Sequence, residues 1–237
     1  MMTEHPIIFN TQMVKAILEG HKTMTRRLNG LRALNENPSD AQFQRVIQYQ
    51  GNTIAQFRIP SINSPYDVKC PYGQVGDRLW VRETWQVDDW NYPNHPEAVL
   101  KENIEYRADA LTEEEYFHYK GWRPSIHMPR WASRITLEIT EVRVERLQEI
   151  TEADAEAEGA VCRWNKGEPF WEQAMKYAQI PHEADWANAS VNSTYKLGFR
   201  FLWDDLNAKR GYGWDTNCWV WVIGFKVVTP ELLEGGN

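Results

Sequence analysis

Apolar positions recur along this chain with two different periods, and the switches between them mark its elements. The run Pro6 to Phe9 predicts a short first strand. Met13, Val14, Ile17 and Leu18 then fall at helical spacing behind Asn10 or Thr11, either of which can cap a helix. Gly20 stands where a helix-ending left-handed residue belongs. Residues 28–75 mix turn signals (Asn29-Gly30, Asn37-Pro38, Pro60, Pro65, Pro71) with strand-like runs such as 53–59, and read as an irregular excursion with room for a hairpin. Gly76-Asp77 predicts a tight turn into a strand over 78–87, with Leu79, Val81 and then Glu83 at alternate positions. Residues 87–120 are polar and aromatic, with a short helix expected at 112–119. A long strand is expected over 134–146, and a helix starts at Thr151, whose spacing to Asp154 loosely resembles a capping box. Residues 160–193 read as a further excursion. Tyr195 to Leu206 predicts a helix with Phe199 and Trp203 on one face, and the turn at 209–217 leads into a closing strand from Cys218.

This order of strands and helices predicts an α+β fold: a small mixed or antiparallel sheet curled into a barrel, with helices at its side. With 237 residues and no repeat or linker, one domain over 1–237 is expected, with insertions near 28–75, 87–125 and 160–193. Composition changes that picture in two places. Twelve tryptophans exceed what packing alone usually requires and suit stacking on planar ligands. A net charge of −7 argues against a general nucleic-acid coat or an anionic membrane surface as partner, while leaving room for a local basic cleft. Cys70, Cys162 and Cys218 lack metal-ligand spacing and read as thiols of a reducing compartment, so no zinc site is expected. The apolar run in the first ten residues is too short for a signal peptide, and no run approaches ~18 apolar residues. A soluble, cytoplasmic protein without metal or organic cofactor is the expectation.

Candidate chemistry concentrates at GHKTMTRR, residues 20–27, where Lys22, Thr25, Arg26 and Arg27 crowd together without an acid. Helix-end electrostatics account for such a cluster. An active site accounts for it as well, because a threonine hydroxyl becomes a nucleophile when a neighbouring amine accepts its proton. Crowding by arginines and loss of water would lower the pKa of Lys22 toward that role. A second basic segment, 120–134, interleaves Lys120, Arg123, Arg130 and Arg134 with Trp122, His127 and Trp131. It fits either a planar anionic ligand or a solvated loop with its tryptophans turned inward. In the acidic helix start, Asp154 and Glu158 form a like-charge i,i+4 pair that a site rich in Lys and Arg would relieve. Glu83, mid-strand among large apolar residues, needs a partner if buried.

Residues 20–27 match the G-x-K-x-x-T-x-R motif of the ASCH domain, a relative of the PUA RNA-binding domain, and the chain resembles that family in blocks over 6–27, 75–87, 134–159 and 217–228. The acidic segment Thr151 to Glu158 is similar to the T-E-x-x-A-E-x-E pattern of its small bacterial N4-acetylcytidine amidohydrolases, and the tryptophan content resembles the longer ASCH proteins of phages and prophages. The resemblance implies a small PUA-like β-barrel with flanking helices and large loop insertions. It also implies an amidohydrolase that removes an acyl group from a modified nucleoside or base, with Lys22 as proton acceptor, Thr25 as nucleophile and Glu158 as proton donor. Arg27 falls on the motif arginine and would anchor substrate or support the oxyanion, which leaves Arg26 as ordinary surface. Glu83, Trp85, Trp122, His127, Arg130 and Trp131 are the further substrate-binding candidates. The expected partner is a small nucleoside or a short single-stranded RNA, with no membrane. The competing expectation is an RNA- or nucleotide-binding module of PUA-like type that lacks amidohydrolase activity.

Overall fold

Asn10 ends the first strand and caps the first helix, its side chain accepting from the Met13 amide at 2.8 Å. The strand is β1 (Glu4–Ile8) and the helix α1 (Thr11–Leu18), which buries Val14 and Ile17 and stops ahead of Gly20 at φ +76°. These elements belong to a computed structural model that describes residues 2–60, 64–87, 103–110, 121–160 and 195–228. The helix expected at 112–119 lies outside the described residues, as does all but Ala160 of the excursion at 160–193.

The described residues form an α+β structure dominated by sheet, and none of its sheets closes into a barrel. Two compact units are present. The first comprises residues 1–20, 72–141 and 225–237, the second residues 21–71 and 142–224.

In the first unit β1 runs parallel to β6 (Arg78–Arg82), and β6 pairs antiparallel with the opening half of β9 (Thr136–Arg146). Alternation sends Ile7, Leu79, Val81, Leu137 and Ile139 into the core, each no more than 2% exposed. The strand expected over 78–87 is broken at Glu83-Thr84, after which β7 (Trp85–Val87) pairs with β8 (Ile104–Tyr106). Trp85, Ile104, Met128 and Ala132 form a second apolar cluster there. The Gly76-Asp77 turn is held by Asp77, which accepts from the backbone amides of Thr3 and Gln74 at 2.9 and 3.0 Å. Only glycine fits at Gly73: its φ is +97°, and a Cβ would lie 2.6 Å from Asp77 Oδ2 and 2.8 Å from His5 Nε2.

In the second unit β2 (Met24–Arg27) pairs antiparallel with β10 (Trp219–Val227), placing Trp221 opposite Arg27, Val222 opposite Arg26 and Ile223 opposite Thr25. The later half of β9 borders β10 on its other side. The stretch read as irregular is mostly regular. After α2 (Arg32–Glu36) come β3 (Gln42–Tyr49), β4 (Asn52–Ile59) and β5 (Ser64–Lys69), a three-stranded antiparallel sheet. Gln50 and Gly51, both at positive φ, make the two-residue turn between β3 and β4. Phe57 and Phe43 pack on Trp219 from this sheet. On the opposite face of β10, Val220 and Val222 join Phe199, Trp203 and Trp214 in a core cluster with Leu147, Ile150 and Ala155. Phe199 and Trp203 come from α4 (Tyr195–Asn207), and Ala155 from α3 (Glu152–Ala157).

Candidate active site

The site is assembled wholly within the second unit, by β2, the preceding residues 21–23, β9 and α3. Thr151 caps α3 by accepting from the Asp154 amide at 3.1 Å, and the helix ends at Glu158. The backbones of Lys22 and Glu158 then meet in an isolated antiparallel bridge, flanked by a 2.8 Å bond from the Thr23 amide to the Ala157 carbonyl. This backbone clasp is what brings together two side chains 136 positions apart. Lys22 Nζ donates to Glu158 Oε2 at 2.6 Å and to the Glu158 carbonyl at 2.7 Å. Its side chain is fully buried, and that of Glu158 is 3% exposed.

Arg26 is not surface, contrary to the expectation. Its side chain is also fully buried, its NH1 lies 3.3 Å from Glu158 Oε1, and its Nε lies 3.0 Å from Glu145 Oε1. Its NH2 reaches Asp154 Oδ2 at 3.0 Å and also bonds Glu145. Arg143 closes the network from β9, donating to Glu145 at 3.1 Å and to Asp154. Lys22, Arg26 and Arg143 thus balance Glu145, Asp154 and Glu158, charge for charge. One guanidinium, lying 5.6 Å from the centre of the Phe199 ring, spans the like-charge pair on α3 and removes its repulsion. Burial pushes the Lys22 ammonium below the ordinary lysine range. The Glu158 charge and hydrogen bond pull it back up, and Arg27 and Arg26 push it further down.

Thr25 is buried in β2. Strand alternation puts it and Arg27 on the face of β2 opposite Arg26, and register puts Trp221 and Ile223 on that same face of β10. Trp221 is fully buried, and its indole N–H has no hydrogen-bond acceptor among the described residues.

The remaining sequence candidates belong to the first unit. Glu83 is 1% exposed and is met by Arg134, whose Nε and NH2 donate to its two oxygens at 3.0 and 3.1 Å. Burial pushes the Glu83 carboxyl above the ordinary range against the pull of Arg134, and Asp109, the second partner of Arg134, adds to the rise. Arg134 also stacks 4.0 Å above the Tyr106 ring. Trp85 is buried edge-on against the half-exposed Trp131, with Arg123 over its ring. Trp122 is half-buried, and His127 is exposed in a short 3-10 turn. Arg130 pairs with Glu4 at 2.9 Å, which leaves that guanidinium already engaged.

Sequence reasoning missed Glu145 and Arg143, whose alternate β9 positions look like any solvated strand face. Among the described residues no cluster of His, Cys, Asp and Glu is arranged to hold a metal ion. Burial pushes the Cys218 thiol up to about 11, so it is protonated and unreactive at neutral pH. No described helix is long and apolar enough to cross a membrane. Comparison with family models, with curated proteins and with solved structures returns no match.

Proposed function

We propose that this chain is an amidohydrolase of ASCH type, with a PUA-like core, that removes the acyl group from an acylated nucleoside or base such as N4-acetylcytidine. The observation that carries the reading is the buried 2.6 Å contact between Lys22 Nζ and Glu158 Oε2. An ammonium and a carboxylate at that distance exchange one proton to become an amine and a carboxylic acid. A single transfer therefore produces both the base and the acid that amide hydrolysis needs, with no change in net charge. Burial and the two neighbouring arginines favour the neutral amine.

Lys22 takes the Thr25 hydroxyl proton as Oγ1 bonds to the acyl carbon, and the carbonyl oxygen becomes an oxyanion. Arg27 and the Trp221 N–H, on the Thr25 face, would donate to it. Glu158 gives its proton to the exocyclic nitrogen as the C–N bond breaks, releasing the free base and leaving an ester on Thr25. Water then attacks the ester carbonyl. Glu158 accepts the water proton, the acid departs, and the proton held by Lys22 returns to Thr25. Replacing Trp221 by Phe keeps the bulk and deletes the donor, and is expected to lower kcat/KM about tenfold. An unchanged kcat/KM removes Trp221 from the site.

The test is release of cytidine from N4-acetylcytidine, free or within a short RNA, by the wild type and by Thr25→Val. The expected loss is at least about 10²-fold. Equal turnover by the two, or none by the wild type, overturns the reading. The competing RNA- or nucleotide-binding module draws less support, since Arg130 and Arg134 of the basic segment are engaged by Glu4 and by Glu83 and Asp109. It predicts salt-dependent RNA binding without turnover.

A further inference from the structure

Lys22 explains one oxygen of the Glu158 carboxylate, and the other belongs to Arg26. A carboxylate held only by Lys22 could rotate about its terminal torsion, which is soft and nearly two-fold. Arg26 is well placed to prevent this because its guanidinium is itself held at several points. Glu145 on β9 holds its Nε and NH2, Asp154 on α3 holds NH2 as well, and Arg143 fixes both of those carboxylates from behind. Such planar, multiply bonded geometry is one a lysine ammonium cannot reproduce in full. Arg26 also stands outside the motif positions that nominate Lys22, Thr25 and Arg27, and on the other face of β2 from the last two.

We propose that Arg26 is a positioning residue: locked by Glu145 and Asp154, its guanidinium fixes Glu158 Oε1 and so keeps Oε2 on Lys22 Nζ. The geometric part stands on the network alone, and the catalytic consequence rests on the amidohydrolase reading.

The experiment compares crystal structures and kinetics of wild type, Arg26→Met, Arg26→Lys and Glu145→Gln. In Arg26→Met the Lys22–Glu158 side-chain contact is expected to open beyond about 4 Å, the usual limit of an ion pair. The backbone bond from Thr23 to Ala157 should remain, showing that the clasp is intact. With N4-acetylcytidine, kcat falls about 10²-fold while KM stays within about threefold, the signature of a misplaced catalytic group. Arg26→Lys restores the contact and part of kcat, and Glu145→Gln gives an intermediate loss. If Arg26→Met does not fold, Glu145→Gln carries the test, since it removes one anchor and leaves the guanidinium in place. An unmoved Glu158 in Arg26→Met, or in Glu145→Gln where that variant decides, overturns the proposal. So does a loss that appears only in KM. Wild-type protein inactive on the nucleoside sinks the amidohydrolase reading, while the crystal structures still decide the role of Arg26.

Discussion

At Lys22, burial and the nearby Arg27 and Arg26 work against the ammonium form, and Glu158 works for it. The net fall of its pKa gives the protein an unusual dependence on pH. Between the lowered folded-state value and the ordinary 10.5, the unfolded chain holds a proton that the folded chain has released. Stability contributed by this group therefore rises with pH across that window. Urea unfolding of wild type and Lys22→Met at a series of alkaline pH values should show the rise in the first and not in the second. A parallel slope in both contradicts it. At neutral pH the same substitution leaves Glu158 without its closest partner in the interior, and about 3–5 kcal/mol of stability should be lost. The pairing of Lys22 with Glu158 was legible in the sequence, because the motif at 20–27 and the acidic pattern at 151–158 each nominate one of the two. Arg26 was not, because an arginine next to another arginine looks like solvated surface until the carboxylates opposite it are known. Nothing local to Glu145 or Arg143 announces that β9 runs past β2's partner and faces this cluster.

Among the elements, α3 has the most to do for its length. Six residues place Asp154 on Arg26 and lead into the C-cap Glu158, and the Thr151 cap sets where the helix begins. Thr151→Ala should cost about 1 kcal/mol of stability by removing the acceptor for the Asp154 amide. If the helix start also aims Glu158, the variant loses activity beyond what that figure explains, and Thr151→Ser restores both. Activity that tracks stability alone would confine the cap to folding. Elements with a strong period were legible: α1 behind its Asn10 cap, the strand after Gly76-Asp77, α4 and β10. Of the sheet of β3, β4 and β5, the strand-like run 53–59 was legible and became β4, but its partners were not. β3 is exposed along most of its length, with Gln42, Gln44 and Gln48 interrupting the alternation, and its turn is Gln-Gly rather than Asn-Gly. A strand whose faces are both mostly wet leaves little hydrophobic pattern to read.

On the scale of the whole molecule, the chain passes between its two units four times, at residues 20–21, 71–72, 141–142 and 224–225, the last two inside β9 and β10. Sequence blocks that look continuous are therefore divided between the units, and the candidates read as one site fall into two groups. Lys22, Thr25, Arg27 and Glu158 share the second unit, while Glu83, Trp85, Trp122, His127, Arg130 and Trp131 share the first. The α+β class was legible from the order of elements, whereas this division depends on contacts hundreds of atoms apart along the chain. The amidohydrolase account needs only the second group. In the proposed reaction Thr25 carries the acyl group between substrate and water. The most direct measurement is acid-quenched mass spectrometry of the protein mixed with N4-acetylcytidine, mapping any acetyl group to a peptide. The account predicts a transient acetyl ester on Thr25 in the wild type and none in Thr25→Val. Cytidine release with no acetyl on Thr25 at any time, or equal release by Thr25→Val, would contradict it.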